Sequence, residues 1–330
     1  MFQPEAYGLV LLFMLASMLC WGSWANTRKL TVGYAFSLFY WDYALGILVG
    51  SLVWGFTLGS LNGGPTSLLP NLHQAEASHV IYALIGGIIF NIANLLLVAA
   101  IDLAGMAVAF PVGIGLALIV GVVSNYVISP VGNPLYLFGG VSLVTIAILL
   151  DALAYRRREA GTSTSTRGVL LSIVSGLLMG SFYPFVAKST IGDGALGPYA
   201  VAFVFAVGVF LCTVPLNAIL MKKSLTGEPA VSWAEYIRAR RSWHWWGIIG
   251  GAIWCTGAMC SVVASKANAV GPAVSYAIGQ GATTVSAAWG VFVWKEFADA
   301  PATSQRLIPW MFLCFVLGLG AIAIAPLMTY

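Results

Sequence analysis

Apolar stretches long enough to cross a membrane alternate with short polar breaks along almost the whole chain. Ten can be marked, at about residues 7–25, 36–58, 80–101, 106–128, 135–155, 168–187, 199–221, 245–265, 273–294 and 307–328. A helix needs roughly 20 apolar residues to cross the hydrocarbon layer. The third and fourth stretches are joined only by Asp102-Leu103-Ala104-Gly105, which predicts a tight antiparallel hairpin. The eighth and ninth are joined almost as tightly, through Lys266 to Pro272. The loop 59–79 is rich in Gly, Pro and Ser and carries only Glu76 as a charge, while 159–167 (EAGTSTSTR) reads as a flexible polar linker. It separates five stretches from five. The pattern predicts an all-α integral membrane protein of ten transmembrane helices.

Charge orients the layout. Arg28, Lys29, Arg156, Arg157, Arg158, Arg167, Lys222, Lys223, Arg238, Arg240, Arg241, Lys295 and Arg306 all follow odd-numbered spans and so share one side. Only Lys188 and Lys266 lie on the other. Basic loops stay in the cytoplasm, so both termini are expected outside the cell membrane and the central linker inside. Only 8% of the 330 residues are charged, against about 25% in an average soluble protein. The net charge of +4 therefore reports topology and not a nucleic-acid surface. Cys20, Cys212, Cys255, Cys260 and Cys314 all fall inside apolar stretches, as small buried residues do. The first stretch lacks a basic leader and a small-x-small cleavage site, so it reads as a retained helix.

The two sets of five resemble each other. Residues 19–29 read LCWGSWANTRK and 177–188 read LLMGSFYPFVAK, which aligns Gly22-Ser23 with Gly180-Ser181. Gly86-Gly87 sits early in the third span as Gly250-Gly251 sits early in the eighth. Gly105, Phe110, Gly113 and Gly115 match Gly271, Tyr276, Gly279 and Gly281 at a constant offset. Five is odd, so the second set must enter the bilayer upside down. The expected organisation is two inverted five-helix repeats, 1–155 and 168–330, joined by a cytoplasmic linker at 156–167, with a binding site between them near mid-bilayer. Small residues also recur wherever membrane helices pack tightly.

Polar residues inside spans carry the chemistry, because lipid makes them costly. Asp42 lies about two turns into the second span, as a candidate for proton coupling or as a carboxylate paired with Arg28 or Lys29. Asn91 and Asn94 share a helix face at i, i+3 and offer donors and acceptors to a neutral polar ligand or to a neighbouring helix. Tyr276 and Gln280 pair at i, i+4 on the ninth span, where the first half has Phe110 and Ile114. Trp21 and Trp254 are candidates for stacking on a flat ligand. Together Trp21, Asn91, Asn94, Phe110, Trp254, Tyr276 and Gln280 form the expected substrate site, with Asp42 coupling to protons. Asp102, Asp151 and Glu296 are expected to pair with basic loop residues, and Lys188 and Lys266 to snorkel outward. The chain has no G-x-x-x-x-G-K-[ST] and no H-E-x-x-H, and no nucleophile–base pairing stands out, so no enzyme, cofactor or metal is expected.

In order along the chain, Tyr40-x-Asp42-Tyr43, Gly86-Gly87, Asn94-Leu95, Gly105, Asn125-Tyr126 and Phe138-Gly139-Gly140-Val141 are followed by Trp245-Trp246-Gly247, Trp289-Gly290-Val291 and Glu296. With these landmarks the chain resembles the drug/metabolite transporter superfamily, within it the ureide-permease-like transporters, and more loosely the glucose/ribose-type porters. The resemblance implies a ten-helix secondary transporter with extracytoplasmic termini. It also implies proton-coupled movement of a small neutral polar compound such as a ureide, uracil or a related oxo-heterocycle, across the lipid bilayer, by a monomer or homodimer. A sugar porter, a metabolite exporter and a non-transporting scaffold or receptor are the alternatives. The chain departs from the plant pattern in its short central loop and in its apolar Ala109-Phe110-Pro111.

Overall fold

The structure, a computed structural model, describes residues 1–61, 63–158, 165–224, 229–267 and 270–328, with Asp102, Met106 and Ala107 described by backbone alone. Its regular secondary structure among these residues is all helical. The long helices are α1 (Tyr7–Ser23), α2 (Phe36–Phe56), α3 (Ala77–Ala104), α4 (Met106–Ile128), α5 (Pro134–Arg158), α6 (Thr166–Lys188), α7 (Pro198–Lys222) and α8 (Arg241–Ser265). After them come α9 (Gly271–Gln280), α10 (Ala282–Ala288) and α11 (Leu307–Ile324). Among the described residues nine helices are long and apolar enough to cross a membrane. Helices are a structure that lipid permits, because they bond their own backbone.

The stretch 273–294, expected to be one span, is instead a broken helix. α9 stops at Gln280, α10 restarts after Gly281, and a π-turn covers Trp289–Val293. Ten residues of α9 make only about 15 Å of rise, half of the hydrocarbon thickness. Glycines explain the break. A Cβ on Gly279 would come within 2.7 Å of the Trp21 ring, and one on Gly281 within 2.6 Å of Leu319. The positions that fit against α1 and α11 are thus the ones that hold a helix least well.

Packing between helices repeats itself. α6 lies on α3 and α4, and α1 lies on α8 and the α9–α10 segment. α3 packs on α7 as α8 packs on α2, while α5 packs on α11. Small residues make these approaches possible. A Cβ on Gly87 would overlap the Phe205 carbonyl of α7, and a Cβ on Gly251 would overlap the Tyr43 carbonyl of α2. The result is two bundles, α1–α2–α8–α9–α10 and α3–α4–α6–α7, facing each other across a central space. α4 and α6 continue through Pro111 and Pro184 without ending. α5 runs to Arg158 and α6 opens at a Ser165 cap, whereas the middle of the expected linker, 159–164, lies outside the described residues.

Candidate functional site

Both bundles contribute to one central cavity of about 230 Å³. By the liquid volume of water, near 30 Å³ per molecule, that is room for about seven waters or one small ring compound. α1 and the turn that follows it supply Trp21, Trp24 and Ala25, α3 supplies Phe90, Asn94 and Ile101, and α4 supplies Phe110 and Ile114. From α6 come Met179 and Phe182, from α8 Trp254, and from the broken helix Gln280, Thr283 and Ser286. Ala25 and Ser286 are solvent-exposed, so this end is the mouth. The opposite end is floored by aromatic rings. Trp254 stacks on Trp21 at 5.9 Å and lies 4.2 Å from Phe90, which meets Phe182 edge-on at 5.4 Å. The Trp21 indole N–H donates to the Trp254 carbonyl at 3.2 Å, locking α1 to α8.

Two carboxamides point into this space without complete protein partners. Gln280 is 8% exposed, and among the described residues its side chain makes no hydrogen bond. Its backbone carbonyl accepts from Thr283 Oγ1 at 3.2 Å, and the residue lines the cavity. Asn94 donates its Nδ2 to the Tyr40 hydroxyl at 3.1 Å, which leaves its Oδ1 for the cavity. A buried amide left unpaired costs about 1–3 kcal/mol. Two such groups in one apolar-walled cavity are what a ligand with its own donor and acceptor would satisfy.

Of the residues anticipated for the site, Trp21, Asn94, Phe110, Trp254 and Gln280 line the cavity. Asn91 lies behind it, fully buried, accepting from the Tyr40 hydroxyl at 2.8 Å and from Thr213 at 3.2 Å. It supports Asn94 through Tyr40. Tyr276 is also off the wall. Its hydroxyl crosses from α9 to the other bundle and donates to the Ala117 and Met179 carbonyls, each at 3.2 Å. Phe90 and Phe182 were not legible beforehand, because an aromatic residue in an apolar span carries no mark of what it faces.

Beyond the aromatic floor the bundles are joined. Tyr183 of α6 bonds Ser261 of α8 at 3.0 Å, and Ser275 of α9 donates to the Ser261 carbonyl at 2.7 Å. At the same end the Lys266 ammonium donates to the Thr190 carbonyl across the two bundles, where outward snorkelling was anticipated. At the mouth end the polar ties run elsewhere. Glu296 accepts from Lys29 at 2.6 Å and from the Tyr155 hydroxyl at 2.5 Å, with Arg158 at 3.6 Å, as expected of a loop carboxylate. The side chain of Asp102 lies outside the described residues.

Asp42 makes a second polar centre. It is 1% exposed and sits against Gly247 of α8, away from the cavity wall. Its Oδ2 accepts from the Tyr34 hydroxyl at 2.9 Å, and its Oδ1 accepts from the Tyr236 hydroxyl at 2.6 Å. His244 Nδ1 lies 2.9 and 3.0 Å from the two oxygens. Tyr236 belongs to the short helix Trp233–Arg238, set by a Ser232–Glu235 capping box in the connection between α7 and α8. Burial and the Asp42 carboxylate push the Tyr34 and Tyr236 hydroxyls up, so both remain neutral donors. The alternative expected from sequence, pairing with Arg28 or Lys29, is replaced by these three donors. Lys29 is held by Glu296, and Arg28 bonds Thr31 and lies over the Phe39 ring.

A long-helix membrane bundle around a small, polar-tipped central cavity is the architecture of a membrane transporter. The chain belongs to the sugar transport protein family, whose model matches residues 12–325. It is 21% identical to ureide permease 1 of Arabidopsis thaliana, with 100% of this chain and 98% of that protein covered. Ureide permease 2 of the same plant is 22% identical with 96% of each covered. A protein of known crystal structure shares the fold, with a TM-score of 0.65 at 16% identity over 96% of this chain and 98% of that one. The protein is thus an integral membrane transporter and not an enzyme, and it resembles ureide permeases.

Proposed function

We propose that the protein is a proton-coupled secondary transporter that moves a small planar neutral compound bearing an amide or urea group, of the ureide, uracil or oxo-heterocycle kind. The observation that carries this reading is the unpaired Gln280 carboxamide and the free Asn94 Oδ1 in one aromatic-walled cavity. A urea edge presents N–H and C=O side by side, matching a carboxamide that offers both. Trp21 and Trp254 supply flat surface for the ring. A pyranose fits less well. It brings several hydroxyls, and each one buried unpaired costs about 1–3 kcal/mol in a cavity with few other polar groups. Sugar transport is nonetheless the second reading, favoured by the family's description and by the same Trp pair.

Ten spans in two inverted halves support an alternating-access cycle, with α9, α10 and the π-turn as the ninth, discontinuous span. Exchanging α1 with α6, α2 with α7, α3 with α8 and α4 with α9 turns the packing pairs into one another. Thirteen of the fifteen Lys and Arg residues belong to the mouth end, so the mouth faces the cytoplasm and the Lys266 end faces outward, with both termini outside. Asp42 is the proton-coupling carboxylate; His244 and Gly247 beside it share α8 with Trp254, about 10 Å further along that helix. Thermal-shift titration with allantoin, uracil and glucose tests the ligand class: stabilisation by glucose alone would replace it with the second reading. In proteoliposomes, Asp42→Asn is expected to abolish uphill uptake driven by a proton gradient and to spare exchange. Unchanged concentrative uptake would remove Asp42 from the mechanism.

A further inference from the structure

Asp42 has no way to meet a proton by itself. It is 1% exposed, and among the described residues its side chain bonds to Tyr34 from the turn before α2, Tyr236 from the short helix and His244 from α8. Arg28 bonds Thr31 and lies 5.7 Å over the Phe39 ring, and Arg240 lies 5.4 Å over the Trp243 ring. The two tyrosines are neutral donors whose hydroxyls burial and the Asp42 charge push up, which makes them poor proton carriers. His244 differs from both. Its side chain is 23% exposed, its Nδ1 is on the carboxylate, and its Nε2 has no partner among the described residues. Imidazole is also the side chain suited to passing protons in the physiological range.

We propose that His244 is the proton relay between the cytoplasmic solution and Asp42. A proton from water bonds to Nε2, forming the imidazolium. The Nδ1–H bond then breaks as an Oδ2–H bond forms on Asp42, 2.9 Å away, and the imidazole is left neutral as its Nε2–H tautomer. The reverse sequence discharges Asp42 to the inside. The relay therefore stands on the reading of Asp42 as the coupling group, and it assigns His244 a positioning and transfer role outside the substrate cavity. Tyr34 and Tyr236 hold the carboxylate so that Oδ2 and Nδ1 stay in register.

His244→Asn tests it, because the amide N–H keeps a donor near Asp42 but cannot pass a proton. Reconstituted in proteoliposomes, the variant is expected to retain exchange of radiolabelled allantoin at equal pH. It should also lose the dependence of uphill uptake on inner pH. Asp42→Asn is measured beside it. Loss of uphill uptake in Asp42→Asn with an unchanged inner-pH profile in His244→Asn would overturn the relay and leave the coupling group standing; unchanged uptake in both would overturn both. A second measurement guards against misfolding. In a His73→Gln/His79→Gln background, where His244 is the last histidine, diethyl pyrocarbonate applied from inside should block uphill uptake and hydroxylamine should restore it. Uptake indifferent to the reagent would also overturn the relay.

Discussion

The two ends of the central space use similar side chains to opposite effect. Beyond the aromatic floor, Tyr276, Tyr183, Ser261, Ser275 and Lys266 all find partners, and most of those partners sit on the facing bundle. On the mouth side of the same floor, Gln280 and Asn94 keep polar atoms with no partner among the described residues. Tyr276 and Gln280 are one turn apart on α9, yet one seals and the other waits. A polar group paired across the bundles fastens helices together, whereas one left open on a cavity wall is available to a ligand.

The largest expected effect comes from removing the floor that divides these regions. Trp254→Ala should cost about 3–5 kcal/mol of stability, as large-to-small core changes do, read as a lower Tm in detergent. It should also let a small thiol reagent added at the mouth reach Cys255, which lines the small apolar chamber behind the floor; mass mapping of the labelled cysteine reads this out. No new labelling would mean that the floor is not the divide. Next is Gln280→Leu. Ligand affinity should fall by about 1–3 kcal/mol, roughly five- to 150-fold in Kd, with Tm almost unchanged because the side chain holds no protein partner. A large Tm loss with intact affinity would put Gln280 among the fastening groups.

Tyr276→Phe should be milder. It removes a hydroxyl shared between two carbonyls, worth about 0.5–1.5 kcal/mol, and so shifts the closed-to-open balance at the outer end up to about tenfold. Faster labelling of a cysteine placed at Ser275 from the outer side is the expected result, and an unchanged rate would deny Tyr276 a sealing role. The smallest effect concerns Glu296. Burial pushes its carboxyl up, but the bonds from Lys29 and Tyr155 and the charges of Lys29 and Arg158 outweigh this and hold it below the ordinary value of 4.5. A lowered carboxylate contributes stability above its unfolded value and loses it as pH falls through the folded one. The partly exposed pair with Lys29 limits the size of that contribution. Glu296→Gln should lower Tm slightly at pH 7 and not at all in strong acid.

Much of the fold was readable from hydrophobic run length. Nine of the expected spans appear as long helices, since a run of about 20 apolar residues has few other fates. The broken ninth stretch was not readable, although Gly279, Gln280 and Gly281 mark the place. Glycine in an apolar run either thins a helix contact or ends the helix, and only the crowding against Trp21 and Leu319 decides which. The same holds for Asp42. The sequence marks it as costly in lipid, but of its partners Tyr34 comes from the turn before α2, Tyr236 from the short helix before α8 and His244 from α8, the last two about 200 residues away.

What the sequence determined alone was the medium, the number of apolar runs and the asymmetry of charge, because hydropathy and basic-loop bias act residue by residue against lipid and water. What only the tertiary structure decided was which polar groups pair. Asn91 and Asn94, or Tyr276 and Gln280, look equivalent on a helical wheel, yet one of each pair is fully buried behind the wall and the other faces the cavity. Hydrogen-bond satisfaction is a property of neighbours, and neighbours are set by how the bundles meet.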